Sequence, residues 1–254
     1  MRNAANSMRS TNKEKQVHAP LLEVCVESFT DAMRAVEAGA DRIEYCSALA
    51  LGGLTPTPGA LARLKDIPAP CMVMIRPRPG GFWCEPEDVA IMKREIAIAR
   101  DSGAAGVVFG ACDRNAHLDV SVLSDLMSEC AGLQTTLHRV FDDVPDQRYA
   151  LEQAIEIGFD RILTSGGKPD AKSGAKQIAA LIKDAAGRIV ILPGAGVSAS
   201  NATEILEVTG ATELHASCKA VMIDMLNHGR TCVDVLRVSM LHNVMNGCAE
   251  GRLR

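Results

Sequence analysis

The chain repeats one short pattern at four junctions between an amphipathic segment and the apolar run that follows it. AGADRI, SGAAGV, EIGFDRI and TGATEL are near-copies of this junction, and each carries the glycine expected just beyond a helix C-terminus. Apolar runs recur at intervals of roughly 20 to 35 residues, with helical patterns between them. This rhythm is typical of successive βα units, in which parallel strands alternate with helices.

Eight of the apolar runs are predicted to be strands, and eight units are enough to close a barrel. The leading fold is therefore a (β/α)8 TIM barrel, with a doubly wound open sheet as the alternative. We assign residues 20–254 to a single barrel domain and predict that residues 1–19 form a disordered tail. The predicted strands are LLEVCVES at 21, ADRIEYCS at 40, CMVMIRP at 71, GVVFGAC at 106, QTTLHRVF at 134, DRILTSG at 160, RIVILPG at 188 and ELHASCK at 213. Residues 221–248 are predicted to hold the closing helix, part of which covers a subunit interface.

The composition of the chain argues against several classes of function. A net charge of −4 without a basic stripe argues against nucleic acid as a partner. The longest apolar runs fall short of about 18 residues and the N-terminus is polar, so we expect neither a membrane span nor a secretory signal. Nine cysteines without CxxC spacing indicate free thiols in a reducing compartment rather than disulfides or structural zinc.

The first two predicted strands share a Glu-x-Cys pattern. Glu23 and Cys25 alternate with apolar residues on the first strand, and Glu44 and Cys46 do so on the second. Side chains at every second position of a strand lie on one face of the sheet, so these four should lie side by side. Buried carboxylates are costly unless they are paired or ligated, and the pattern therefore predicts a lined site.

Further polar residues lie near the C-terminal ends of other predicted strands, where barrel enzymes carry their active sites. Arg76 follows the third strand and offers a planar guanidinium to a carboxylate or phosphate. His138 lies at the end of the fifth strand, and Glu213 and His215 lie on one face of the eighth. We predict that these residues join the Glu-x-Cys pairs in one functional site.

Two glycine-rich loops form a second constellation. Gly166 and Gly167 follow the sixth strand, and Gly194 and Gly196 follow the seventh strand and precede a helix. Backbone N–H groups at such turns bind anions, and barrels often hold a phosphate near these loops. The four glycines are therefore predicted to bind a phosphate or another anion.

Taken in order, the motifs IEYCSALALGGLTP, VMIRPRPGGFWC, LHRVFD, LTSGG, GAGV and ELHAS resemble those of the CutC family of copper homeostasis proteins. The resemblance covers residues 21 to 218. It implies a (β/α)8 barrel, a cytoplasmic location, a homodimer or higher homo-oligomer, and Cu(I) binding by Cys25 and Cys46. Tyr45 departs from the family pattern, in which leucine is frequent, and so does the C-terminus rich in methionine and cysteine.

Two functions follow. The first, favoured by the resemblance, is copper homeostasis through Cu(I) binding, because thiolates are soft ligands that suit this ion. The alternative, favoured by the hard and basic groups, is an isomerase, epimerase or lyase acting on a small phosphorylated or anionic metabolite. In that enzyme Glu23, Glu44 or His138 would move a proton and Arg76 would bind charge. A variant of it has Glu44, His138 and Glu213 hold a divalent metal.

Overall fold

The computed structural model describes residues 19–223, 225–226 and 229–251, with no side-chain description for 249–251. All eight predicted strands are present, and residues 1–18 of the predicted tail lie outside the described residues. The strands are β1 (Leu21–Val26), β2 (Arg42–Tyr45), β3 (Cys71–Met74), β4 (Gly106–Phe109), β5 (Gln134–Leu137), β6 (Arg161–Thr164), β7 (Val190–Pro193), β8 (Glu213–Ala216), β9 (Lys219–Ile223) and β10 (Gly229–Val233). The helices are α1 (Phe29–Glu37), α2 (Pro58–Leu61), α3 (Pro86–Asp101), α4 (Val120–Met127), α5 (Val140–Asp143), α6 (Gln147–Ile157), α7 (Ala175–Ala185), α8 (Ala202–Thr209) and α9 (Val235–Gly251), with 3-10 turns at Leu49–Leu51 and Leu64–Asp66.

The first eight strands form one parallel sheet in the order β7-β6-β5-β4-β3-β2-β1-β8. β7 lies beside β8, so the sheet curls into a nearly closed barrel surrounded by helices. This confirms the predicted (β/α)8 TIM barrel and rejects the open doubly wound sheet. In such a barrel β1 and β5 lie on opposite sides of the axis.

Alternate residues of each strand separate the barrel interior from the helical layer. Ile43 and Tyr45 of β2 are fully buried in the large apolar core beneath the helices. Glu44 lies between them in sequence and takes the opposite face, as Cys46 does beyond the strand end. The interior is apolar beside β3 and β4, where Met72, Met74 and Val108 surround Cys46. The polar residues therefore collect on the other side of the barrel.

An antiparallel hairpin, β9 paired with β10, lies between β8 and the last helix. The predicted closing helix is confirmed as α9, but the hairpin was missed. Its first strand, KAVMI, has no alternation of apolar and polar residues, which is the usual signal for a half-buried strand. Val221 and Ile223 are instead both about two-thirds exposed, at 68% and 66%.

Candidate functional site

A cavity of about 280 Å³ opens at the C-terminal ends of the barrel strands. Five of the residues predicted for the site line it: Cys25, Glu44, Arg76, His138 and His215. They come from β1, β2 and β8 and from the segments after β3 and β5. The fold therefore brings these five predicted side chains together at one end of the barrel.

Cys25, Glu44 and His215 form the tightest group of potential ligands in the cavity. One ligand atom from each residue lies within 4.8 Å of the other two, and all three residues are buried. The Nε2 atom of His215 is 3.9 Å from an oxygen of Glu44. The parallel pairing of β1 with β2 and with β8 creates this group, because it places Cys25 beside Glu44 and Glu23 beside His215.

Cys46, the second predicted copper ligand, lies behind this group. Its side chain is 1% exposed, and its thiol donates a 3.5 Å hydrogen bond to Glu44. Gly53 closes over it, since a Cβ atom there would lie 3.3 Å from the sulfur. Burial, together with the nearby charge of Glu44, raises the pKa of the Cys46 thiol well above its usual value. Cys25 opens into the cavity and Cys46 does not line it.

A chain of alternating charges descends from the cavity into the barrel. His215 Nδ1 lies 2.7 Å from Glu23, which in turn pairs with Arg42. Arg42 also pairs with Glu213, and Glu213 pairs with Arg161 at 3.1 Å. These residues are at least 85% buried, so their charges interact with little screening by solvent.

The charge chain shifts the pKa values of its members. Burial alone would raise the pKa of Glu23, but hydrogen bonds and charge from His215 and Arg42 lower it to about 2. Burial opposes protonation of His215, yet Glu44, Cys25 and Glu23 together raise its pKa well above the usual value. Burial raises the pKa of Glu44, an effect that Glu23 reinforces and His215 opposes. His215 is therefore a cation held between two carboxyl groups.

Glu23 and Glu213 were predicted to act in the site, but neither lines the cavity. Glu213 is the first residue of β8 and pairs with Leu21 at the start of β1, so it lies toward the N-terminal end of the barrel. Alternation along a strand predicts which face of the sheet a side chain is on, but not how far along the barrel axis it lies. Glu213 also cannot join Glu44 and His138 around one divalent ion, because it is engaged with Arg42 and Arg161 below the cavity.

Arg76 and His138 lie on the part of the cavity wall formed by β3 and β5. Arg76 is 9% exposed and donates to the carbonyl oxygens of Leu51, Gly53 and Gly80. The Nδ1 atom of His138 accepts a 3.2 Å hydrogen bond from the backbone N–H of Val140. Burial, together with the charge of Arg76, lowers the pKa of His138 to about 3. We therefore expect His138 to be neutral near pH 7 and to act as a hydrogen-bond donor or a base rather than as a cationic acid.

The depressed pKa of His138 predicts a loss of stability in acid. The unfolded chain takes up a proton at this residue near pH 6.5, whereas the folded chain does so only near pH 3. The contribution is complete above pH 6.5 and is lost as the pH falls toward 3, by up to about 1.4 kcal/mol per pH unit. Urea unfolding of the wild type and of His138→Asn at pH 7, 6, 5 and 4 measures it. The variant should lose less stability per pH unit, and equal slopes would contradict the assignment.

The predicted anion loops have different surroundings. The amides of Ser165 and Gly167 donate to the carboxylate of Asp142, at 3.0 and 3.1 Å, so the loop containing Gly166 and Gly167 already holds an anionic group of the chain. The sequence LTSGG gave no sign of this partner, which lies 23 residues upstream of Ser165. Gly194 packs against His215, and Gly196 lines a separate cleft of about 420 Å³. Anion binding at Gly194 and Gly196 stays a prediction.

Several cavity residues were not predicted to belong to the site. Phe82, Arg139 and Lys219 line the cavity as well, together with Ser217, which alternation along strand eight places on the same side as Glu213 and His215. Alternation along strand five placed Arg139 on the face opposite His138, but the strand ends at Leu137 and the helical turn that follows brings both to the cavity. Lys219 is the last residue of the run ELHASCK that was predicted as the eighth strand, and the structure places it at the start of the unpredicted hairpin instead.

The fold and the motifs agree with comparisons to known proteins. A sequence model of the CutC family matches residues 20–220. A CutC family protein of Caulobacter vibrioides is 48% identical over 200 residues, covering 79% of this chain and 82% of that protein. The human copper homeostasis protein cutC homolog is 45% identical over 201 residues, covering 79% of this chain and 74% of that protein.

Comparison with solved structures also indicates similarity to CutC proteins. The crystal structure of a copper homeostasis protein CutC from Streptococcus agalactiae has a TM-score of 0.75 and 33% identity, covering 78% of this chain and 98% of that chain. Phosphoribosylanthranilate isomerase from Thermotoga maritima, at 14% identity and a TM-score of 0.56, shares the fold alone. Within the described residues, none of the helices combines the length and apolar character needed to cross a bilayer. By the extent of the family match and the identity to its relatives, this chain belongs to the CutC family.

Proposed function

We propose that the protein serves copper homeostasis by binding one Cu(I) ion at the floor of the cavity. The observation that carries this proposal is the group formed by Cys25, Glu44 and His215, whose ligand atoms lie within 4.8 Å of one another. The family supports copper as the ion, since relatives are named copper homeostasis proteins.

The donor chemistry fits copper. Cu(I) accepts a thiolate and an imidazole as ligands. Cys25 and His215 would supply them from adjacent strands, and His215 would release the proton on Nε2 as the ion binds while Nδ1 keeps its hydrogen bond to Glu23. Cys46, hydrogen-bonded to Glu44, supplies a second sulfur when its proton leaves. Glu44 Oε1 is buried without a hydrogen-bond partner among the described residues, so a cation nearby would satisfy an atom that is otherwise costly to bury. Glu23, hydrogen-bonded to His215, orients the imidazole as carboxylates commonly do for histidine ligands.

A titration tests the proposal. Reduced protein is mixed with Cu(I) and a competing chelator under anaerobic conditions. We expect one ion per chain, bound tightly enough to compete with the chelator, and no competition from a variant that carries both Cys25→Ala and Cys46→Ala. Equal binding by the wild type and the double variant would contradict the cysteine site.

Two further features belong to this proposal. All nine cysteines are free, which suits a reducing compartment such as the cytoplasm. We also propose a homo-oligomer, because Val221, Ile223, Leu236 and Met240 of the hairpin and of α9 are more than half exposed. Sedimentation velocity tests the oligomer, and a monomer at every concentration would contradict it.

A second candidate is an enzyme that moves a proton on a small anionic metabolite, as an isomerase, epimerase or lyase does. It is favoured by two histidines on one cavity whose pKa values are displaced in opposite directions, downward for His138 and upward for His215. A thermal-shift screen of phosphorylated and carboxylated metabolites with copper-free protein tests it. A hit that Glu44→Gln still binds but no longer converts would favour the enzyme.

A further inference from the structure

Part of the cavity wall has a chemistry that copper does not require. Arg76, His138 and Arg139 come from the segments after β3 and β5, and Lys219 comes from the start of β9. Each offers N–H donors rather than metal ligands, apart from the histidine, whose Nδ1 is already engaged. Three of the four are cations, and cations repel a metal ion. This donor wall, defined by Arg76, His138, Arg139 and Lys219, therefore indicates a second ligand.

The charge of Arg76 is buried without a counter-charge. Its three hydrogen bonds, at 2.7 to 3.0 Å, go to neutral backbone carbonyl oxygens. Among the described residues no carboxylate forms an ion pair with it, and its Nε atom is buried without a partner. A buried charge that lacks a partner of opposite sign destabilises the folded chain in general. An anion in the cavity would remove that penalty.

His138 adds a neutral donor beside this charge. Because its Nδ1 accepts the Val140 N–H, the proton of the neutral ring is on Nε2. No described residue accepts a hydrogen bond from that nitrogen, although the residue is only 4% exposed and lines the cavity. The ring packs against Phe82, at 4.5 Å between ring centroids. It also lies so close to Gly110 that a Cβ atom there would be 2.6 Å from the ring. A neutral N–H held rigidly in this way suits a carbonyl or carboxylate oxygen.

The other two cations differ in how much charge they can offer. Arg139 already pairs with Asp142 at 2.8 Å, so its charge is largely compensated. Lys219 has no ion-pair partner among the described residues and lines both the cavity and the neighbouring cleft. Arg76 and Lys219 therefore supply two positive charges for a ligand.

We propose that the cavity binds a small organic anion, whose carboxylate or phosphate groups are held by Arg76 and Lys219 and whose oxygen accepts a hydrogen bond from His138 Nε2. The volume of about 280 Å³ suits a molecule of roughly ten non-hydrogen atoms, given the space that a water occupies in the liquid. The inference rests on the second candidate function for its class of ligand and names the groups that hold that ligand. It does not depend on copper binding, because none of these three residues belongs to the Cys25, Glu44 and His215 group.

Calorimetric titration of the copper-free chain tests this inference, with malonate and inorganic phosphate as separate probes in a zwitterionic buffer. We expect at least one probe to bind with a Kd below about 1 mM. Lys219→Glu should weaken binding by about tenfold or more, while Lys183→Glu, the same charge change at an exposed site on α7, should alter it by less than about twofold. Arg76→Gln should weaken it further, and Lys219→Glu remains the decisive variant because Arg76 also holds two loops.

The possible results distinguish a carboxylate ligand from a phosphorylated one, and they distinguish the anion proposal from the copper proposal. Binding of malonate alone identifies a carboxylate ligand, and binding of phosphate alone identifies a phosphorylated one. Cys25→Ala should bind the probe as the wild type does while losing copper, so failure of the copper proposal leaves this one standing. The inference is overturned if neither probe binds with a Kd below about 1 mM, or if Lys219→Glu and Lys183→Glu bind equally well.

Discussion

Replacing Arg42 with methionine is expected to lower the free energy of unfolding by about 3–5 kcal/mol, the usual cost of breaking a buried ion pair. Arg42 is 2% exposed and pairs with both Glu23 and Glu213. Methionine fills a similar volume, so the loss arises from two carboxylates left without their shared cation rather than from a cavity. The low pKa of Glu23, about 2, depends partly on this guanidinium and should rise in the variant.

Chemical denaturation of the wild type and Arg42→Met at pH 7 measures the loss. Arg63→Met is the matched control, because Arg63 also pairs with a carboxylate, Asp66, but both side chains are 55% exposed. Exposed pairs of this kind contribute about 0–1 kcal/mol. Adding Glu213→Gln to Arg42→Met should recover part of the stability, since one unpaired charge disappears. A loss below about 1 kcal/mol in Arg42→Met would show that the charge chain is not energetically coupled.

The two predicted copper cysteines are expected to differ in their effect on copper affinity. Cys25→Ala should weaken Cu(I) binding by about 100-fold or more, because it removes the thiolate that opens into the cavity beside His215. Cys46→Ala should weaken it by roughly tenfold, since this thiol must lose its proton while buried against Glu44 before it can bind.

Cys71→Ala provides the control for this comparison. Cys71 is also a buried thiol in a barrel strand, and burial raises its pKa to about 12, but it belongs to the core beneath the helices. Its replacement should leave copper affinity unchanged within about twofold. Competition titration with one chelator compares all four proteins. Equal losses in Cys25→Ala and Cys46→Ala would mean that copper binds between the two sulfurs and outside the group formed by Cys25, Glu44 and His215.

The alternation of residues along the strands predicted much of the fold and of the site. It placed Glu23, Cys25 and Glu44 in the barrel interior, because a strand has a period of two and each barrel strand has one face toward the helices. The apolar runs predicted all eight barrel strands, and the repeated helix-to-strand junction marked the start of four of them, β2, β4, β6 and β8, because its glycine and the apolar run that follows are local features.

What the sequence did not predict depends on distances between strands. The position of Glu213 along the barrel axis follows from the stagger of β8 against β1, and the sequence of β8 alone does not encode this register. The occupation of the LTSGG loop by Asp142 arises from a contact between α5 and the segment after β6. The covering of Cys46 by Gly53 likewise needs a loop fold in which the glycine has a φ of +87°. Each is a tertiary contact without a local pattern.

X-ray absorption at the copper edge tests the central claim most directly. The wild-type protein loaded with one equivalent of Cu(I) should show sulfur ligands together with a nitrogen ligand from imidazole, because thiolate and imidazole are ligands that suit copper. Cys25→Ser should lose one sulfur ligand from the first coordination shell, whereas Cys71→Ser should keep the wild-type set of ligands. A wild-type spectrum with only nitrogen and oxygen ligands, or one that Cys25→Ser leaves unchanged, would contradict copper binding at Cys25 and His215.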